Sequence, residues 1–182
     1  MFDTHCHLNF KAFESQVDDI IKESKNYGVY YFMIPGTDYA TSKRAVEISE
    51  KYKNAFCSVG LHPHHIYEFV QKNIDIDDYD FIGFIKVLVE SDSVKAIGEV
   101  GFDRHVYTKT KYQNYKVNEV FLSLQKKLFI KQYDMALKLD KSLIIHCREA
   151  ESDLLAVLGD VWDSKMQGRA VFHCCPCQRR FA

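Results

Sequence analysis

Six short apolar runs, each parted from the next by an amphipathic stretch, set the terms on which this chain can fold. The runs cover residues 1–7, 29–34, 55–60, 94–99, 142–146 and 170–173, and each is of strand length. Between the first two, Phe13, Val17, Ile20 and Ile21 are spaced to line one face of a helix. Gly28 follows as a stop. Further helices are predicted over 41–52, with Thr41 or Ser42 as cap, and over 80–89, 118–139 and 152–158. Strand and helix alternating in this rhythm require parallel strands joined by right-handed crossovers. A doubly wound sheet and a closed (β/α) barrel both meet that requirement.

The ends of the runs separate the two. His5 and His7 close the first run, Glu99 the fourth, His146 the fifth and His173 the sixth, while His62 and His64 follow the third. Polar side chains at the carboxyl ends of several strands are the arrangement of a barrel's active face. A doubly wound sheet would gather them at one switch point beside a glycine-rich phosphate loop. No GxGxxG or GxxxxGK[ST] stretch is present. A full barrel takes about 250 residues. Six runs in 182 residues therefore read as an incomplete (β/α)8 TIM-type barrel, with about six of its eight strand–helix units present. On this reading residues 1–182 are a single domain lacking the last two units, and 175–182 (CPCQRRFA) are an aberrant tail. Such a sheet has two open edges, at runs one and six, which invite self-association or poor solubility.

Composition narrows the function. Apolar residues make up 47% and charged residues 27%, as in ordinary globular proteins, and no run approaches the ~20 apolar residues that span a bilayer. Asp3 comes early, with no basic stretch ahead of an apolar core. Neither a signal peptide nor a membrane partner is expected. Six irregularly spaced cysteines then read as reduced thiols of a cytoplasmic protein. HCCPC at 173–177 could be half of a zinc knot, but no second Cys/His pair stands at finger spacing. A formal charge of −1 argues against a general nucleic-acid binder. Between Arg104 and Arg148, however, ten Lys/Arg face three Asp/Glu. That segment either attracts phosphates or is a solvated, lysine-rich helix face.

Imidazole and carboxylate are the side chains that bind borderline divalent cations. Residues i and i+2 of a strand share a face, so His5 and His7 point into one space and can chelate a single ion. The alternative is a pair of buried histidines bonded to backbone groups. A carboxylate buried after the apolar AIG, as at Glu99, is costly without a partner. The partner is either a metal pair or Arg104 or Arg148. His146 and His173 would each alone be structural; with Glu99 they make a credible N/O site.

The blocks FDTHCHL, VGLHPHH, AIGEVGFD, IIHCREA and VFHC, in this order over residues 1 to about 174, resemble the TatD family of metal-dependent deoxyribonucleases. The resemblance implies a barrel with two divalent ions (Mg, Mn or Zn) and hydrolysis of DNA phosphodiesters, from a strand end, by metal-activated water. A bound cation lowers the pKa of its water from about 15.7 toward ~7 and holds phosphoryl oxygens. His5 and His7 would hold one ion, Glu99 would bridge both, and His146 and His173 would hold the other. His62 and His64 would line the substrate site, with His64 contacting a phosphate or moving a proton; solvated loop histidines are the alternative. Asp103 is either an acid orienting a ligand or water or a turn cap. Arg148 either forks onto a phosphate or pairs with Glu149 or Glu151. Glu99, His64 and Asp103 are thus the candidate catalytic set, and His62, His64 and Arg148 the candidate substrate contacts.

Tyr107, Tyr112 and Tyr115 alternate with Lys109, Lys111 and Lys116, a pattern that either stacks bases and meets phosphates or packs under a loop. The family's ETD-(S/A)-PY block, with its aspartate ligand, does not occur, nor does the usual glycine-bearing continuation after the last HC. Two other readings therefore stay open. One is a D-aminoacyl-tRNA deacylase or other ester hydrolase on the same scaffold; the other is an inactive truncated remnant.

Overall fold

The computed structural model describes residues 1–77, 80–107 and 117–175. Six strands form one sheet in the order β1-β2-β3-β4-β5-β6, every neighbouring pair parallel. They are β1 (Phe2–Asp3), β2 (Tyr31–Pro35), β3 (Ala55–Val59), β4 (Val94–Asp103), β5 (Ser142–Arg148) and β6 (Ala170–His173). Helices α1 (Val17–Ser24), α2 (Tyr39–Lys51), α3 (Ile66–Lys72), α4 (Phe81–Leu88), α5 (Glu119–Lys138) and α6 (Glu151–Val161) lie between them. The result is a half-barrel, as the six alternating runs require. β4 and β5 are buried along nearly their whole length, which is why their sequences read as continuous apolar runs and not as alternation. β1 and β6 are the outer strands and stay more exposed; Val171 of β6 is 52% accessible.

Several boundaries differ from those read in the sequence, each for a local reason. The first run pairs as a strand only at Phe2–Asp3. The backbone beyond it is anchored instead by the Cys6 N–H, which donates to Met33 O at 3.0 Å. β4 runs four residues past Glu99, so Asp103 lies within it. Helix α2 starts at Tyr39 because Asp38 is its cap. The Asp38 carboxylate accepts the Thr41 N–H at 2.8 Å and the Thr41 hydroxyl accepts the Asp38 N–H at 2.9 Å, a reciprocal box. Gly28 ends the first helical segment at φ 77°, the left-handed turn that glycine adopts without strain. The short turn Pro63–His65 and helix α3 after it were not expected. Their apolar residues Ile66 and Phe69 stand at i and i+3, a signal too brief to register as a period.

Two buried glutamines of α5 tie the sheet to its mouth. Gln132 accepts the Leu61 N–H at 2.7 Å and donates to Leu61 O at 3.0 Å, just past β3. Gln125 does the same for Asp103, at 3.1 and 3.0 Å. Burying an amide is costly unless it is hydrogen-bonded, and both of these are.

Candidate metal centre

The ends of β4 and β5 build the site around Glu99. Ile97 pairs with Leu143 and Val100 with Ile145, so β4 carries one residue more than β5 in that interval. The extra residue makes a bulge, a device that re-aims a side chain. There the Glu99 N–H reaches Gly36 O at 2.7 Å. The carboxylate is only 2% exposed, and its two oxygens face different partners. Oε2 lies 3.5 Å from His5 Nε2 and 3.8 Å from His7 Nε2. Oε1 lies 2.7 Å from His146 Nδ1 and 3.8 Å from both His173 Nε2 and His62 Nε2. The Nε2 atoms of His5 and His7 are 3.3 Å apart, and the His5 and His173 rings stack at 3.5 Å. The sheet thus curves enough to bring the chain after β1 against the end of β6.

His146 is held at both nitrogens. Its Nε2 lies 2.7 Å from Asp103 Oδ2, opposite the 2.7 Å contact of Nδ1 with Glu99. Burial works against its charged form, but the hydrogen bonds to Asp103 and Glu99 outweigh burial and raise it to about 9. Burial also disfavours both carboxylate anions, yet the histidine contacts pull Glu99 and Asp103 well below the usual carboxylate range. Burial moves three further imidazoles toward neutrality: His62 and His7 are lowered, and His173 falls to about 4.

A pH dependence follows from these directions. The unfolded His146 titrates near its ordinary value of 6.5 and the folded one near 9. Its stabilising contribution is complete below 6.5 and disappears as pH rises through 9. In chelator, the melting temperature should fall across that window. An Asp103→Asn variant should show a flatter profile. A wild-type profile flat from pH 6.5 to 9 would contradict the clamp.

Asp103 is fully buried, and its two oxygens face different groups. Its Oδ1 accepts the His105 N–H at 2.8 Å as a turn cap. Its Oδ2 takes His146, the Tyr107 hydroxyl at 3.2 Å, and His64 Nε2 at 2.9 Å. The charged partners considered for Glu99 are elsewhere: Arg104 forks onto Asp153 at 2.6 and 2.7 Å. Arg148 pairs with neither Glu149 nor Glu151. It donates to Tyr107 Oη at 3.0 Å, with its guanidinium 5.3 Å over that ring.

A cleft of about 290 Å³ opens over the centre, lined by His7, His62, His64, Glu99, His146 and His173, with Phe10, Thr37, His65 and Tyr107. The structure therefore gathers His5, His7, Glu99, His146, His173, His62, His64 and Asp103. Arg148 stands behind Tyr107 and does not line the cleft. Sequence reasoning missed Phe10, Thr37 and His65, and it gave Tyr107 no link to Asp103. Of these only the third histidine of HPHH left a trace in the sequence. Tyr112, Tyr115, Lys109, Lys111 and Lys116 lie outside the described residues, as do 176–182. Cys6, Cys57, Cys147 and Cys174 are free thiols, while Cys175 is disulfide-bonded. Cys174 brings its sulfur within 4.8 Å of His146 and His173 donors, and the ligand atoms of Cys147, Glu151 and Cys175 form a second group of the same span.

The donor set fits divalent cations. The ligating atoms of His5, His7 and Glu99 lie within 4.8 Å of one another, and His7, moved toward neutrality by burial, offers a lone pair. His146 directs Nε2 at a carboxylate, the orientation typical of a histidine whose other nitrogen ligates metal. The proton on its Nδ1 uses the lone pair that a cation beside Glu99 Oε1 would take. His62 differs: its Nδ1 accepts the His64 N–H at 3.2 Å. The proton of its neutral ring therefore sits on Nε2, which faces Glu99 as a donor and not as a ligand.

The family described as TatD related DNase matches residues 2–181. An "uncharacterized metal-dependent hydrolase", YabD, of Bacillus subtilis is 29% identical over 174 residues, covering 96% of this chain and 60% of the relative. A "3'-5' ssDNA/RNA exonuclease TatD" of Pantoea vagans is 31% identical over 176 residues, covering 96% and 59%. The chain thus spans about 60% of the length of these relatives. Among solved structures, a TatD-family hydrolase of Entamoeba histolytica superposes with TM-score 0.71 at 20% identity, covering 96% of this chain and 58% of its own. The TatD homologue YJJV of Escherichia coli gives 0.68 at 23%, covering 88% and 55%. At these identities the structural likeness speaks to the fold alone.

Proposed function

The chain belongs to the TatD-related DNase family, and from that premise we propose that it is a divalent-metal-dependent hydrolase cleaving DNA phosphodiesters from a strand end. The observation that carries this reading is the pair of Glu99 oxygens. One faces His5 and His7, the other His146 and His173, as a carboxylate shared between two cations would. In this reading His5, His7 and Glu99 hold one ion, and Glu99, His146 and His173 hold the second. A bound divalent ion (Mg, Mn or Zn) supplies Lewis acidity, acidifying water and taking up charge on phosphoryl oxygens.

The chain's own groups do the rest. Asp103 fixes the His146 ring through Nε2, so that Nδ1 keeps its direction toward Glu99. His64, whose Nε2 lies 2.9 Å from Asp103 Oδ2, lines the cleft as the contact for a phosphate or for proton transfer. His62 offers its Nε2 hydrogen to a phosphate. Burial, then the Asp103 carboxylate, keeps the Tyr107 phenol protonated. Tyr107 also braces Arg148, which stands behind it and outside the cleft, so Arg148 acts through Tyr107 and not on the phosphate held over Glu99. The reduced state of Cys6, Cys57, Cys147 and Cys174, set against the disulfide-bonded Cys175, suits a reducing compartment such as the cytoplasm. No helix among the described residues is long and apolar enough to cross a membrane.

The test is an end-labelled single-stranded oligonucleotide offered with Mg, Mn or Zn, beside a D-aminoacyl-tRNA. Stepwise shortening that stops in chelator is expected, with the aminoacyl ester left intact. Deacylation without shortening would move the assignment to the other ester hydrolase. Turnover of neither substrate with any of the three metals would leave only the inactive reading.

We also propose that the two outer strands, with Phe2, Val171 and Phe172 exposed, mediate self-association through their free edges. Sedimentation velocity should show dimers that grow with protein concentration. A single monomer boundary over a hundredfold range of concentration would rule the contact out.

A further inference from the structure

Phe10 is the only residue that lines both the metal-centre cleft and a second hollow beside it, among those described. A turn from the histidine pair places it there: the Phe10 N–H donates to His7 O at 3.0 Å. One face of its ring lies on the His7 imidazole, 4.2 Å away and 16° from parallel. The ring is still 36% exposed, an unusual position for phenylalanine beside a polar centre. The second hollow measures about 470 Å³ and is lined by Asn9, Lys11, Glu14, Ala40, Thr41 and Arg44 besides Phe10. Lys11 and Arg44 share its wall with one carboxylate, Glu14, and Arg44 is 3.5 Å from Glu47, so the hollow offers two cationic groups of which Arg44 is partly neutralised.

We propose that Phe10 and this hollow form a second subsite, holding the nucleotide next to the scissile one in a single nucleic-acid strand. The base stacks on the outer face of Phe10 and its phosphate turns toward Lys11 and Arg44. This rests on the nuclease reading above and adds to it the path of the strand, from Glu99 past His7 toward the α1–α2 side. Aromatic rings are sequence-tolerant platforms for unpaired bases, whereas a duplex presents its bases already stacked. The cleft over Glu99, at about 290 Å³, is at the small end of ligand pockets, a size for one nucleotide. A longer strand must leave it, and Phe10 marks the boundary it crosses.

Equilibrium binding of fluorescent oligothymidylate to the full chain, followed by anisotropy in chelator so that nothing is cleaved, tests this. Phe10→Ala should weaken binding about tenfold or more, the scale of one lost base stack, while Phe10→Tyr should bind as wild type. On a strand of the same length made of abasic sites, Phe10→Ala should bind as wild type does. The Lys11→Gln/Arg44→Gln double variant should lower the slope of log affinity against log salt by about one. Phe10→Ala binding oligothymidylate as tightly as wild type would overturn the subsite, as would an equal loss on the abasic strand. A wild-type protein that binds no strand at all, either in chelator or with Mg on an uncleavable phosphorothioate strand, would remove the nuclease reading together with the subsite.

Discussion

Replacing Glu99 by glutamine should remove divalent-metal binding and, with it, hydrolysis. Both carboxylate oxygens are engaged, Oε2 toward His5 and His7 and Oε1 toward His146 and His173, so one substitution disables both halves of the centre. The amide has one acceptor where the carboxylate has two, and its NH2 must face either an imidazole pair or the His146 Nδ1 hydrogen. Losing an outer partner of a metal ligand costs about 10–100-fold in affinity; losing a ligand shared by two ions should exceed 100-fold. Turnover of the oligonucleotide should fall by at least the ~10²–10³ typical of deleting one charge-stabilising group. Titration calorimetry with Mn or Zn measures the first, the cleavage assay the second. Far-ultraviolet circular dichroism should be unchanged, which separates loss of the site from loss of the fold. A Glu99→Gln protein with wild-type metal affinity would remove the basis of the functional proposal.

Gly101→Ala should be the most damaging single change to the fold. Gly101 sits two residues beyond Glu99 at φ 144°, opposite His146 in the register of β4 and β5. A Cβ there would stand 2.0 Å from His146 O and 2.9 Å from its carbonyl carbon. Both are backbone atoms of a buried strand, which no side-chain rotation can move. To relieve the clash β4 and β5 must separate where Glu99 and Asp103 hold His146. Effects of this size, backbone strain plus a broken ladder and disrupted buried pairs, fall in the exceptional range of about 4 kcal/mol or more. For a chain of this length that is a drop of roughly 10 °C in melting temperature, or insoluble expression. A Gly101→Ala protein melting within about 2 °C of wild type would show that the strands do not meet this closely.

Much of the site was legible because a barrel writes its active face into its strand ends. Polar residues stopping apolar runs marked His5, His7, Glu99, His146 and His173 without any knowledge of the third dimension. His5 and His7 converge for a different reason from the one read: the chain there is past β1 and is steered by Cys6 bonding to Met33, a contact across 27 positions. Asp103 offered two readings in the sequence; one oxygen caps the turn at His105, and the other contacts His146, the geometry that the orienting role needs. Tyr107 was visible as one aromatic among several, but its hydroxyl on Asp103 depends on a loop path that spacing does not encode. Phe10 was passed over because it falls in the short segment between the first run and α1, where too few residues stand to set a period. The α2 cap was misplaced by three residues because Thr41, a good capping type itself, acts as the reciprocal partner of Asp38.

Gln125 and Gln132 bear on where the centre is vulnerable. Neither touches the cleft, yet each grips the main chain at the point where a strand gives way to a site loop, Leu61 before HPHH and Asp103 beside His146. The spacing between the His62–His64 wall and the Glu99–Asp103 floor is therefore gauged from behind, by a helix of twenty residues acting as a splint. Damage to the candidate metal centre can start on the far side of the sheet, in a helix that lends no residue to the cleft.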